Sequence, residues 1–251
     1  MNQLHLGFDR NVAPLDKGFL YLADEIPEMK WARKFDYTKH HLNPLSGITY
    51  KKARNLSAAL YSLTLQGETT LARRDGERAL LRAFLHSRRF DRLKFPTPRN
   101  KSEERGNEDA QALIDDLLQS PVLKAVFCTT TNFTFDKKAT ILARINRAEL
   151  GDFDALVLSL VLINHFQGQI IVPDFGFYGR DVHISLVREN RIIAGVNHLA
   201  ELPLRLRNAL LLVKDKRAHG VLYDDAVLLA RLKGFVPGTN RFNDAVDDAM
   251  A

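Results

Sequence analysis

The sequence predicts an α/β protein, a three-layer sandwich around a largely parallel sheet. Three observations lead there. Short apolar runs that read as buried strands recur along the chain, and segments with apolar residues three and four apart, which read as helices, stand between them. Two of the apolar runs, Ile170-Ile171-Val172 and Ile192-Ile193-Ala194-Gly195-Val196, each lead into a polar residue. Continuous rather than alternating apolar runs belong to strands covered on both faces. Ligands bind at the C-terminal edge of such a sheet, so residues 169–203, which deliver Asp174 and Asn197 there, are the first place to look for chemistry.

Taken in order, residues 4–8 (LHLGF) suit a first strand and are followed by a polar, proline-containing loop over 9–17. Residues 18–26 (GFLYLADEI) have apolar positions at helical spacing, so strand, loop and helix open the chain in the layout of a phosphate-binding unit. Residues 29–37 (MKWARKFDY) read as a second strand ending in Asp36, with a turn at His41-Leu42-Asn43-Pro44 beyond it. Residues 49–63 form a helix with Thr49 as N-cap, and GERALLRAFL forms another. Residues 108–118 form an amphipathic helix that stops near Ser120-Pro121. Beyond it, 122–127 is apolar but short, and 129–135 (TTTNFTF) reads as an edge or surface β segment. Residues 139–145 (ATILARI) are a core strand, and 152–166 a helix apolar nearly all round, with Asp152 in capping position. A helix over about 180–189 separates the two strands of the opening observation, a third apolar run covers 209–213, and 223–232 closes the core as a helix. The expected organisation is one domain over 1–238 and a polar, acidic C-terminal tail over 239–251.

A chain of 251 residues with 45% apolar composition buries a substantial core. The formal charge of +6 suits a polyanionic partner such as DNA without requiring one. Eleven Lys or Arg stand against five Asp or Glu between Arg73 and Arg105, and 94–106 (KFPTPRNKSEERG) has almost nothing apolar. A basic loop or insertion over about 86–107 follows, either a solvated linker or a phosphate-contacting loop. Arg73, Arg74, Arg88 and Arg89 are its candidate nucleic-acid contacts. The lone Cys128 rules out an internal disulfide framework and fits a reducing compartment. No apolar run reaches the length of a membrane span, and a soluble, cytoplasmic protein is expected.

The order of these features resembles the HerA/FtsK class of P-loop ATPases, which includes DNA-translocating motors, conjugative coupling proteins and viral packaging ATPases. The residues that carry the resemblance are QIIVPDF at 169–175, similar to the Walker B strand; RIIAGVN at 191–197, similar to the sensor strand; and RKFDYTKHHLNPL at 33–45, similar to a strand ending in Asp before an Asn-Pro-Leu turn. The resemblance implies a P-loop NTPase-like fold, ATP and magnesium as cofactors if nucleotide binding is retained, DNA as partner, and a homo-oligomeric ring or an active ATPase beside it. It assigns Asp174 to magnesium, Asn197 to sensing the γ-phosphate and Arg205, or Arg207, to a neighbour's nucleotide.

The phosphate loop aligns on spacing with residues 11–18, where Lys17 is the lysine, but Asn11 and Asp16 replace the glycines and Gly18 the hydroxyl residue. Such a loop needs converging N–H donors and a magnesium-holding hydroxyl, and Pro14 removes one donor. Phe175 stands where the class places a water-polarising Glu; Asp181 is a substitute only if the FGFYG loop folds back. Two functions follow: an ATP-driven DNA-handling enzyme, or a catalytically inactive DNA-binding or assembly subunit. A third, a metal-dependent nuclease built on Asp174, Glu189 and Arg191, requires residues 183–187 and 191–196 to pair as a hairpin.

Overall fold

The computed structural model describes residues 3–6, 18–64, 70–136, 138–218 and 220–251. In chain order the elements are β1 (Gln3–Leu6), β2 (Phe19–Ala23), β3 (Arg33–Asp36), α1 (Tyr50–Thr64), α2 (Thr70–His86), α3 (Lys101–Leu117), α4 (Pro121–Cys128), β4 (Ile141–Arg144), α5 (Arg147–Leu150), α6 (Asp152–His165), β5 (Gln169–Val172), α7 (Phe175–Tyr178), α8 (Ile184–Arg188), β6 (Ile192–Val196), α9 (Leu204–Leu211), β7 (Asp215–Ala218), α10 (Tyr223–Leu232) and α11 (Asn240–Met250). Short 3-10 turns cover Asp181–His183 and Leu199–Glu201. Two compact units result: the first joins Met1–Ala23 to Gly168–Ala251, the second is Asp24–Gln167.

In the first unit the strand order is β2-β5-β6-β1-β7, with every pairing parallel. All five residues of β6 are buried, which is why its sequence is apolar without alternation. The strand β2 corrects the helix expected over 18–26. Phe19, Leu20, Leu22 and Ala23 are all buried, and backbone pairing with β5 holds the segment extended. Four apolar residues in five positions fit a two-sided buried strand as well as a helix stripe, and pairing decides between them. The run at 209–213 is not a strand but the end of α9 and its exit; the outer strand is the charged β7 (DKRA). A charged outer strand discourages edge-to-edge association. The expected polar tail is also corrected. Thr239 caps α11 by accepting from the Phe242 N–H at 3.3 Å, and Phe242, Val246 and Ala249 are buried where the helix packs on α10.

In the second unit β3 and β4 pair in parallel, and α1 packs on α2 and α6. The segment TTTNFTF is not a strand; side chains hold it instead. Arg33 lies 4.6 Å over the Phe133 ring and donates to the Thr134 carbonyl at 2.9 Å, and Asn132 accepts from the His41 N–H at 2.7 Å. Residues 122–127 belong to α4, started by Ser120, whose hydroxyl accepts from the Leu123 N–H at 3.2 Å, with Pro121 in the first turn. The basic loop expected over 86–107 is shorter than read. Asn100 accepts from the Glu103 N–H at 3.0 Å and starts α3, and Gly106 is buried so closely against α2 that a Cβ would lie 2.8 Å from the Asp75 carbonyl oxygen. Burial, then Asp91, pushes the Cys128 thiol up to about 11, so it stays protonated at neutral pH. Among the described residues no helix is long and apolar enough to cross a membrane.

Candidate functional site

In the first unit Val172 of β5 pairs with Ala194 of β6, and Val196 of β6 pairs with Leu6 of β1. The three strands therefore end on one sheet edge, which receives Asp174 from β5 and Asn197 from β6. The strand carrying Asn197 lies between the one carrying Asp174 and the one that leads into the candidate phosphate loop. Both Asp174 and Asn197 are half-buried. Gly18 has φ +75° and leads directly into β2. Asn11, Asp16 and Lys17 lie outside the described residues.

Three glycines shape the turn that presents Asp174. A Cβ on Gly195 would overlap the Pro173 carbonyl, one on Gly176 would overlap the Glu201 carboxylate, and one on Gly179 would lie 2.7 Å from the Phe175 carbonyl oxygen and 2.8 Å from the Leu202 side chain. The first contact is with backbone, which cannot rotate away. We expect Gly195→Ala to lower stability by about 1–3 kcal/mol, as overpacking does, read as a lower urea midpoint at unchanged slope; an unchanged midpoint would contradict the close approach.

Asp174 occupies the N-cap position of α7 without its side chain capping that helix. Phe175, the next residue, is fully buried, and its ring stands 5.5 Å from the imidazole of His183. His183 accepts from the Arg180 N–H through Nδ1 at 3.1 Å. Burial, then the Arg180 charge, pushes His183 down to about 3, so the ring is neutral. Arg180 donates to the carbonyls of Phe177 and Gly179 at 2.8 and 2.7 Å, closing the turn from below. Asp181 is exposed at the start of its 3-10 turn. Sequence reasoning missed two carboxylates here. Asp225, buried in the first turn of α10, accepts from the Leu199 N–H at 2.9 Å and ties down the chain after Asn197; Glu201 lies against Gly176. Neither has a local signal, because both act across elements distant in sequence.

Arg205 is elsewhere. It lines a groove with Asn190 and Asp215, which stand at the N-terminal ends of β6 and β7, the opposite edge from Asp174. Arg207 is half-buried on the same helix. The nuclease arrangement is corrected by the same logic. Residues 184–188 form α8 rather than a hairpin strand, Glu189 pairs with Arg191 at 3.1 Å, and Arg191 also donates to the Gly168 carbonyl just before β5. The four residues of β5, roughly 13 Å of strand, separate that pair from Asp174.

In the second unit Arg73 and Arg74 lie on α2, the latter exposed, and Arg88 is exposed beyond it. Arg89 forms a two-pronged pair with Asp91 at 2.9 and 2.7 Å. Arg82 pairs with Glu103 at 2.8 Å, so part of this tract's charge is neutralised internally.

Magnesium takes near-octahedral oxygen ligands and keeps several waters, drawing on one or two carboxylates together with substrate phosphates. Among the described residues Asp174 is one such carboxylate, Gly18 brings no hydroxyl, and no group of three His, Cys, Asp or Glu is placed to hold a metal without a nucleotide's phosphates.

No family model and no curated protein matches the chain. Among solved structures it is similar to VirB4 of Thermoanaerobacter pseudethanolicus, at 12% identity and a TM-score of 0.60, covering 94% of this chain and 81% of that one. The likeness shows the fold alone, an α/β fold with a parallel sheet flanked by helices, and at that level it agrees with the fold implied by the resemblance to the HerA/FtsK class.

Proposed function

We propose that the protein is a non-hydrolysing subunit of a nucleic-acid-handling assembly, built on the fold of an ATP-driven motor. The observation that carries this reading is Phe175. Hydrolysis needs a group beside the metal-binding Asp that accepts a proton from water, and here an apolar ring fills that position and is wholly buried in the core. Gly18 supports the same reading, since it opens a strand rather than the helix N-terminus on which phosphates are held. Asp174 and Asn197 then act as ends of the scaffold, and the partner supplies any nucleotide chemistry.

The test is a calorimetric titration of the full chain with magnesium and ATP, paired with an assay for released phosphate. No saturable heat at millimolar nucleotide and no phosphate release are the expected results. Saturable binding with turnover, abolished by Lys17→Ala and by Asp174→Ala, would overturn the reading. Glu201 supports one alternative, because its carboxylate packs on Gly176, the residue after Phe175. Turnover lost in Glu201→Gln would make it the water-polarising group.

A further inference from the structure

On the outer side of β7, two grooves of the first unit meet at Lys214. One, of about 850 Å³, is lined by Lys214, Lys216, Arg217, Lys233 and Arg241 together with Phe235. The other, of about 1060 Å³, is lined by Arg188, Arg205 and Lys214. Seven cations therefore face three carboxylates, those of Asp215, Asp244 and Asp248. Asp215 is already approached by Arg217 at 3.9 Å. Among the described residues no ion pair holds Arg188, Arg205, Lys214, Lys233 or Arg241, in contrast to the paired Arg82 and Arg89 of the second unit.

We infer that these two adjoining grooves hold the phosphodiester backbone of a nucleic-acid strand. A row of exposed cations along an open trough matches a regularly charged polymer, and neutralising each phosphate releases condensed counterions. The trough also offers what a base needs. Phe235 is partly exposed within it, and Leu212 and Leu232 on its walls are 82% and 49% exposed. Aromatic and apolar faces beside a basic groove are how strands are held without reading their sequence. The outer edge of β7 pairs with no described strand, so its backbone donors also face this side. The assignment moves nucleic-acid contact from Arg73, Arg74, Arg88 and Arg89 to the opposite half of the chain, and it rests on the nucleic-acid part of the proposed function.

Fluorescence anisotropy of the full chain with a labelled single strand of about 20 nucleotides, from about 50 to about 200 mM salt, tests it. We expect the logarithm of affinity to fall linearly with that of salt. Lys214→Glu with Arg241→Glu should weaken binding by about tenfold or more and reduce the slope by about 1.4, two phosphate contacts on a single strand. Both side chains are exposed, and Lys214→Ala with Arg241→Ala, which adds no new charge, should show the same direction with a smaller change. Arg73→Glu with Arg88→Glu should leave the affinity within about twofold. No binding at the lowest salt, unchanged affinity in the groove variants, loss in the second-unit pair instead, or capture by anionic lipid vesicles rather than by the strand would each overturn the assignment. Nucleotide turnover is read separately, so it can defeat the non-hydrolysing reading while the groove stands, and unchanged groove variants can defeat the groove alone.

Discussion

Phe175→Ala is expected to lower the unfolding free energy by about 3–5 kcal/mol, the usual cost of removing a buried aromatic ring. Phe175→Glu should cost more, because it buries a carboxylate among Phe175's apolar neighbours and beside a neutral His183. Urea titration followed by far-ultraviolet circular dichroism measures both. The glutamate variant is the sharper of the two, since it installs the residue that the resemblance to the HerA/FtsK class places here. A scaffold that has repacked around phenylalanine loses stability and gains no turnover. A stable Phe175→Glu protein that releases phosphate from ATP would show that the site had kept its catalytic geometry.

Stability should also fall steeply between about pH 6.5 and about pH 4.5. Burial holds His183 down to about 3 in the folded chain, and burial followed by the Lys52 charge holds His165 down to about 4. Both rings are then neutral in folded and unfolded chains above pH 6.5, the ordinary value. Below it the unfolded chain takes up protons that the folded chain does not, so unfolding gains about 1.4 kcal/mol per pH unit for each ring. The loss ends only as pH passes the folded values. Asp36, Asp91 and Glu103, whose folded values are lowered, add losses in the same direction at more acid pH. Urea midpoints at about pH 7.5 and about pH 5 test this, and His165→Gln should reduce the slope by about one proton. A midpoint constant across that interval would show that neither ring is buried as described.

Much of the sheet was legible because buried parallel strands are written as apolar runs: β1, β4, β5 and β6 stand where the runs predict them. The misreadings have particular causes. Phe19–Ala23 is so short that its apolar residues satisfy a helical stripe and a two-sided strand alike. β7 is polar because it lies at an edge, so no apolar run announces it. The signals for α11 were present in the Thr239 cap and in Phe242, Val246 and Ala249 at helical spacing, but the many aspartates obscured them. At the candidate site Asp174 and Asn197 were legible as strand ends. The contacts of Gly176 with Glu201 and of Leu199 with Asp225 were not, because they join positions about 25 residues apart that only packing brings together.

The division into units has a consequence for synthesis. The second unit is one continuous stretch, Asp24–Gln167, so every partner it needs has been made once residue 167 has left the ribosome. The first unit is split. β1 and β2 emerge at the start, yet β5, with which β2 pairs, is made about 150 residues later, and β6, with which β1 pairs, about 190 residues later. Chain closure over that separation is slow, and unpaired strand edges invite wrong associations while they wait. The first strand made, β1, is therefore among the last to find its place, and a chain arrested before residue 168 holds it without β6 or β7, the two strands it pairs with.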